Sequence, residues 1–452
     1  MRATIRPGTF RGGDVRVPGD KSIAHRWLIL AATARGRTAL RGLPTSLDVR
    51  STARCLAALV GEEARAALDG WASRPAPTPD GHGSTGNGPR PRAGEVVVEA
   101  RGRGGLHPPS GPLDCGNSGT AMRLLCGVLA SAPFGSDLVG DGSLSARPME
   151  RVATPLNAMG AQVRTIEGHA PVRVEGGPLR GIDHAVPVPS AQVKGAVLLA
   201  GLAAEGATTV REPAATRDHT ERALSELGAP IEREPGAVTV HRFQHDGFEG
   251  EVPGDPSSAA FLVAAAALAG GALRIRGVGL NPTRLAFLGV LGRMGVRTTL
   301  VPEGEELGEP VGTIEVEPAG ELAGTVVGPG ELPLVVDEVP VLALLAAFAS
   351  GGTRFAGAGE LRTKESDRLG GVVAAIRALG GEASVEGDDL VLAGGGLRGG
   401  VAAAAGDHRM AMALSIGGLR TPEPLSVEGV EVAEVSFPGF LDTLSGLGVE
   451  IA

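Results

Sequence analysis

Apolar positions along the chain gather into helical runs that stop at a glycine and give way to extended stretches. "LAALVGEEAR" stops at Gly61, "LNAMGAQVRT" at Gly160, "LSELGAPIER" at Gly228, "LGRMGVRTTL" at Gly295, "IRALGGEASV" at Gly380 and "LSGLGVEIA" at Gly448. Each glycine is suited to a left-handed helix C-cap, with a strand expected after it. A second pattern interleaves with the first: a glycine, a short strand, then a polar loop opening a helix. It recurs in "GRTALRGLPTSLD", "GSDLVGDGSLSARPMERV", "GATTVREPAATRDHTERAL", "GALRIRGVGLNPTRLAFL", "GTRFAGAGELRTKESDRLGGV" and "PLSVEGVEVAEVSFPGFL". Six copies of both patterns predict six repeats, each a supersecondary unit that must pack on its neighbours. The segment "WASRPAPTPDGHGSTGNGPRPRAG" (71–94) is Pro/Gly/Ser-rich without periodicity and predicts a disordered surface insertion that carries no chemistry.

Composition narrows the class. A chain of 452 residues is too long for one ordinary core, so two domains or a repeat array are expected. Apolar runs such as "VPVLALLAAFA" (339–349) are too short to span a bilayer, and "MRATIRPGTFRG" lacks the apolar core of a signal peptide. Cys55, Cys115 and Cys126 show neither metal-ligand nor disulfide spacing and fit a reducing cytoplasm. A net charge of −9 argues against a nucleic-acid binder, and 3% aromatics with no tyrosine argues against base stacking.

Candidate chemistry sits at the loop-to-helix corners. "VPGDKSIAHRW" (17–27) brings Asp20, Lys21, Ser22, His25 and Arg26 to one corner ahead of "WLILAATA". Two readings compete there. Asp20 or Ser22 caps a helix whose charges face water, or helix-start amides join Lys21 and Arg26 in cradling an anion. "LDCGNSGTAMRLL" pairs glycines and small hydroxyls with Arg123 one turn into a helix. "VPSAQVKGAVLLAGL" and "GDPSSAAFLVAAAAL" read as N-capped helices, "DEVPVLALLAAFA" puts Asp337 and Glu338 at a helix mouth as caps or as a base, and "GDHRMAMAL" starts a helix with Asp407, His408 and Arg409. The second pattern also carries Arg147, Arg217, Arg284 and Lys364, Glu365, Asp367 and Arg368, which suggests one shared face of ligand-binding loops. Charges turned to solvent account for any single loop equally well.

The set in this order resembles one family. "PGDKSIAHR", "GNSGTAMR", "ARPM", "SAQVKGAVLLAGL", "TRDHTE", "GDPSSAAF", "DEVPVLA", "RTKESDRL" and "DHRMAMAL" are similar to the 5-enolpyruvylshikimate-3-phosphate synthase family, from residue 7 to the C-terminus apart from 71–94. "TRDHTE" and "VSFPGF" resemble its second class. The resemblance implies an α/β fold of two domains, each of three βαβαββ repeats forming an inside-out α/β barrel. The expected division is 1–19 with 253–452, and 20–252, with ligands in the cleft between. It implies transfer of the enolpyruvyl group of phosphoenolpyruvate to the 5-hydroxyl of shikimate 3-phosphate by addition and elimination. Asp337 would take the hydroxyl proton, and Glu365 would exchange protons with carbon, assisted by Lys21. Shikimate 3-phosphate would be held by Lys21, Ser22, Arg26, Ser190, Ala191, Gln192, Thr216, Arg217, Asp337 and Lys364. Phosphoenolpyruvate would be held by Lys21, Gly119, Arg123, Arg147, Gln192, Arg368, His408 and Arg409. No metal or cofactor is implied, and a cytoplasmic monomer with no nucleic-acid or membrane partner is expected.

Two departures matter. Many relatives carry a lysine near the "FP" of the last loop, where this chain has Val435 before Phe437. Tolerant members of the second class often have alanine where this chain has Gly119, so inhibition by glyphosate is expected here. The rival readings are an enolpyruvyl transferase acting on UDP-N-acetylglucosamine or on another cyclitol, and a non-catalytic anion-binding repeat protein. The first uses a reactive cysteine ahead of "ARP", where this chain reads "DGSLSARP".

Overall fold

The computed structural model describes residues 1–8, 10–74 and 94–452. Its strands form six sheets among the described residues. Four share one topology, a parallel pair followed by two antiparallel strands. An example is Leu113–Asp114 parallel to Gly135–Val139, which pairs with His169–Glu175 and, beyond it, Gln162–Ile166. Between the parallel strands runs helix Gly119–Leu129, and between Gly135–Val139 and Gln162–Ile166 runs helix Glu150–Met159. The two three-stranded sheets keep the parallel pair and one antiparallel neighbour. The six expected repeats are therefore six sheets, each with its own helices.

Five of the six cap glycines behave as read. Gly160, Gly228, Gly295, Gly380 and Gly448 have φ between 76° and 113°, a region closed to most side chains. Gly61 differs. Its φ of −63° and ψ of 166° make it the N-cap of a second helix, Glu62–Ala72, where the sequence reading expected a strand. Glu62 and Glu63 in the first turn favour that helix through its dipole. The helix also corrects the start of the expected insertion: Trp71 is fully buried in the core. The stretch 75–93 of that insertion lies outside the described residues.

One helix in each repeat is buried on almost every side. They are Lys21–Thr33, Gly119–Leu129, Ala191–Gly201, Pro256–Ala269, Val339–Ala347 and His408–Gly417. Few of their positions reach solvent because they form the centres of two separate hydrophobic cores. One core is built from residues 23–252 together with Leu307, the other from Ala3, Ile5 and residues 259–449. Gly127 lets Gly119–Leu129 meet Ala191–Gly201 backbone to backbone, since a Cβ there would lie 2.2 Å from the Ala196 carbonyl oxygen.

The chain passes between the cores twice, at one place. Strand Gly13–Arg16 pairs in a sheet of the second core, yet the helix after it, Lys21–Thr33, sits in the first. Strand Glu249–Glu251 pairs in a sheet of the first core, yet its helix, Pro256–Ala269, sits in the second. Gly19 and Gly254 bridge where the passages meet. Asp20 and Asp255 then N-cap the two helices, accepting from the backbone N–H of Ile23 and Ser257. Buried Arg284 donates to both carboxylates, to Asp255 at 2.9 Å. The sequence reading grouped Arg284 with ligand-binding loops; it is instead spent on this crossing. Burial opposes ionisation of Asp20, but Arg284 together with His219, the Ile23 N–H and Arg217 outweighs it and holds that carboxyl well below the usual range. Asp255 is raised by burial and by its neighbour Asp20.

Replacing Arg284 by leucine leaves two buried carboxylates without their cation and is expected to cost about 3–5 kcal/mol of stability at neutral pH. The folded carboxyl of Asp20 titrates below its unfolded value of about 4. Its stabilisation is therefore complete above that pH and is lost as the pH falls through the folded pKa. Denaturant unfolding of wild type and Arg284→Leu should show the gap at pH 7 and its narrowing toward acid. Equal midpoints at pH 7 would refute the clamp.

Candidate functional site

The helix starts converge on one cleft between the two cores. Lys21 and Ser22 open helix Lys21–Thr33, Gly119 and Thr120 open Gly119–Leu129, and Ala191 and Gln192 open Ala191–Gly201. Asp337 precedes Val339–Ala347, and Arg409 is the second residue of His408–Gly417. Unpaired N–H groups and helix dipoles at these ends favour bound anions. Side chains add to this. Lys21, Arg26, Arg123, Arg147, Arg151, Arg217, Lys364 and Arg409 line the cleft against four carboxylates, Asp48, Asp337, Glu360 and Glu365. In a chain with a net charge of −9, this surplus of positive charge marks the place built for anions.

The resting cleft pairs its charges internally. Lys21 Nζ lies 3.0 Å from Asp48, Lys364 Nζ 2.5 Å from Glu360, and Arg147 Nη1 3.9 Å from Glu365. Arg217 donates to Asp337, and Arg409 donates to the Asp337 carbonyl at 2.7 Å. Arg123 donates to Gln192, which in turn donates to Thr120 Oγ1 at 2.8 Å. Asn117 accepts from Arg147 at 2.6 Å and donates to Asp141 at 2.7 Å. The Nε atoms of Arg123 and Arg147 are buried without partners. Burial lowers Arg26 to about 10 and Arg123 to about 9, so both stay charged at neutral pH.

Of the residues expected to touch ligands, all line the cleft except Arg368 and His408. Arg368 is fully buried directly behind it. Its Nη2 is 2.5 Å from Glu365, its Nη1 3.6 Å from Asp337, and its Nε donates to Asp407 at 2.7 Å. His408 faces an adjoining crevice shared with Glu365 and Val435. Burial pushes its pKa down to about 3, so it is neutral, and its Nε2 has no partner. His25 is likewise buried, neutral, and bonded to Thr52 at 2.7 Å away from the cleft. Glu338 occupies the N-cap position of Val339–Ala347, but its side chain makes no capping hydrogen bond. Glu338 accepts from Ser257 at 2.5 Å, and burial raises its pKa.

Sequence reasoning missed Asp48, Asn117, Arg151 and Glu360. Asn117 stands inside the quoted "GNSGT", and Arg151 lies in the first turn of helix Glu150–Met159, just after the quoted "ARPM", so local signals existed for those two. Asp48 had none, because only the fold brings it to Lys21.

Burial works against the ionised form of Glu365, but Arg368 and the other cations around it pull the carboxyl well below the usual range. Asp337 is likewise held well below despite burial, first by Arg409 and then by Arg217, Lys364 and Arg368. Both are carboxylates at rest.

The family model for EPSP synthase (3-phosphoshikimate 1-carboxyvinyltransferase) matches residues 5–75 and 90–444. A 3-phosphoshikimate 1-carboxyvinyltransferase of Acidithiobacillus ferrooxidans is 44% identical over 455 residues, covering 100% of this chain and 99% of its own. One from Methylococcus capsulatus is 42% identical, covering 99% and 98%. Among solved structures, an EPSP synthase from Acinetobacter baumannii aligns with a TM-score of 0.83 and 37% identity over 100% of this chain and 99% of its own.

Inorganic phosphate should raise the unfolding temperature more than chloride at equal ionic strength, since ligand binding to the folded state adds about 2.7 kcal/mol at a hundred times Kd. Identical curves in the two salts would mean that the cleft has no specific anion site.

Proposed function

The chain belongs to the EPSP synthase family and transfers the enolpyruvyl group of phosphoenolpyruvate to the 5-hydroxyl of shikimate 3-phosphate in the shikimate pathway, and we propose that it does so with the cleft residues described above. The observation that carries the assignment of residues is the pairing of two ionised carboxylates, Asp337 and Glu365, across one buried guanidinium in a cation-rich cleft. Shikimate 3-phosphate lies against Lys21, Ser22, Arg26, Ser190, Ala191, Gln192, Thr216, Arg217, Asp337 and Lys364. Phosphoenolpyruvate lies against Lys21, Gly119, Arg123, Arg147, Gln192 and Arg409. Arg368 Nη1, which makes no hydrogen bond, and the unbonded His408 Nε2 support contacts from these two as well. The two cores correspond to two domains, 1–19 with 253–452 and 20–252, each an inside-out α/β barrel, and the enzyme works as a cytoplasmic monomer without metal or cofactor.

The substrates bring two phosphates and two carboxylates. Planar arginines neutralise and orient them and keep their charge as water leaves. Glu365, protonated once those anions offset its cations, gives its proton to the methylene carbon of phosphoenolpyruvate. The 5-oxygen attacks C2 as Asp337 takes the hydroxyl proton, which forms a tetrahedral ketal phosphate. The C–O bond to phosphate then breaks, the departing phosphate takes the hydroxyl proton from Asp337, and a methyl proton returns to Glu365. Asp337 is thereby a carboxylate again, and Glu365 holds the proton it gave.

Phosphate release from phosphoenolpyruvate should require shikimate 3-phosphate and should not occur with UDP-N-acetylglucosamine; the reverse preference would overturn the assignment. In Glu365→Gln, kcat should fall by roughly two to four decades with little change in KM, the range for a general acid–base group. Unchanged turnover would remove Glu365 from the chemistry. Inhibition by glyphosate should be competitive with phosphoenolpyruvate. A Cβ on Gly119 would lie 3.2 Å from Arg123 Nη1, 3.4 Å from Arg147 Nη1 and 3.6 Å from Leu144. Gly119→Ala should therefore weaken the longer inhibitor by roughly 1–3 kcal/mol and the substrate by less. Equal shifts in the inhibition constant and in KM would show that this position does not discriminate.

A further inference from the structure

Behind the acceptor side of the cleft sits a buried charge cluster that none of the residues named so far accounts for. Lys194, one turn into helix Ala191–Gly201, points away from the cleft and is 2% exposed. Its Nζ lies 2.6 Å from Glu212 and 2.6 Å from Glu221, both nearly fully buried. Glu212 uses its other oxygen to accept from the Thr216 hydroxyl. Thr216 and the next residue, Arg217, line the cleft, and Arg217 reaches Asp337. On the far side of the cluster, Thr220 accepts from Arg26 Nε at 2.7 Å, and Arg26 lines the same side of the cleft. A Cβ on Gly195 would come within 2.8 Å of Thr220 Oγ1, so the helix and the 216–221 segment are in close contact there.

We propose that Lys194 is a positioning residue for the acceptor: by holding Glu212 and Glu221 on one ammonium, it fixes Thr216, Arg217 and Arg26 in the places that recognise the phosphorylated hydroxy acid. The argument is one of charge and reach. A buried carboxylate without a cation is costly and finds another partner or turns toward water. With Lys194 gone, Glu212 has no reason to stay where it orders Thr216. On the donor side, Gly119, Arg123, Arg147 and Arg409 stand on other elements, and Gln192, though on the same helix as Lys194, is held from that side by Arg123 and Thr120. The effect is thus confined to one substrate, which a general loss of rigidity would not produce.

The inference rests on the function proposed above, and the test separates the two. Lys194→Met keeps the apolar stem and removes the ammonium. The double variant Lys194→Met/Glu221→Gln restores the cluster's net charge and serves where the single variant fails to fold, while still leaving Glu212 without its cation. In whichever variant is folded by circular dichroism, KM for shikimate 3-phosphate should rise between about tenfold and a hundredfold, the scale of a displaced positioning group. KM for phosphoenolpyruvate should stay within about twofold, and Lys194→Arg, able to span both carboxylates, should recover most of the loss. Calorimetric titration of shikimate 3-phosphate onto wild type accompanies the kinetics. If wild type neither turns over nor binds it, the reading of the cleft falls and this one with it. If wild type does both and the variants match it, or lose both substrates equally, only the role of Lys194 is overturned.

Discussion

Everything in this fold passes through the point where the chain crosses twice between its cores, and one guanidinium holds that point. Arg284 bonds the capping carboxylates of two helices, one in each core, and also donates to Ser257 Oγ at 2.8 Å. Ser257 donates to Glu338, and Glu338 lies 3.7 Å from Arg409 in the cleft. A continuous polar chain therefore runs from the helix that begins with Lys21 to the arginine facing it across the site. Buried ion pairs of this kind add little net stability over apolar packing, but they admit one geometry. Here that geometry fixes how the two walls of the cleft face each other at their common root.

The clamp matters because the cleft itself resists being built. Eight cationic side chains and several helix N-termini share one hollow, and their mutual repulsion must be answered before any substrate arrives. Asp48, Glu360, Asp337 and Glu365 answer it as resident anions, each resting on a cation that a phosphate or carboxylate would claim. The site is thus preorganised by placeholders, and binding exchanges one set of ion pairs for another without stranding a charge. Arg368 is the exception. With almost no exposure and three carboxylates around it, it is held by the frame, and only its Nη1 is left without a hydrogen bond toward the chemistry.

The repeats were legible in the chain because they rest on local rules. A helix must end, and a left-handed glycine ends it, which is why Gly160 and Gly295 could be read directly. Gly61 misled because an extended glycine before two glutamates starts a helix as readily as a left-handed one stops it. The ligand-lining corners were legible for a different reason: small residues and charges at a helix start are rare enough in concert to carry a resemblance. The partnerships between corners were not legible. Asp48 with Lys21, Arg284 with Asp20 and Lys194 with Glu212 join residues 27, 264 and 18 positions apart. No local pattern encodes which distant charge will answer a buried one. Arg284 looked like another basic loop residue, and only burial distinguishes it.

The two carboxylates of the chemistry illustrate how such distant partners set reactivity. Asp337 and Glu365 lie on different loops, and each would be raised by burial alone. The cations around them reverse that, Arg409 and Arg217 leading at Asp337 and Arg368 at Glu365, so neither holds a proton in the empty cleft. A base suits Asp337, which must receive a proton from a hydroxyl. An acid is wanted at Glu365 first, and it can become one only when its cations are claimed by substrate anions. The same event that fills the site therefore supplies the acid, because phosphate and carboxylate groups compete for Arg147 and Lys21 and weaken their hold on Glu365. Protonation of phosphoenolpyruvate is in this way tied to occupancy, and an enzyme holding no substrate keeps both groups ionised and chemically quiet.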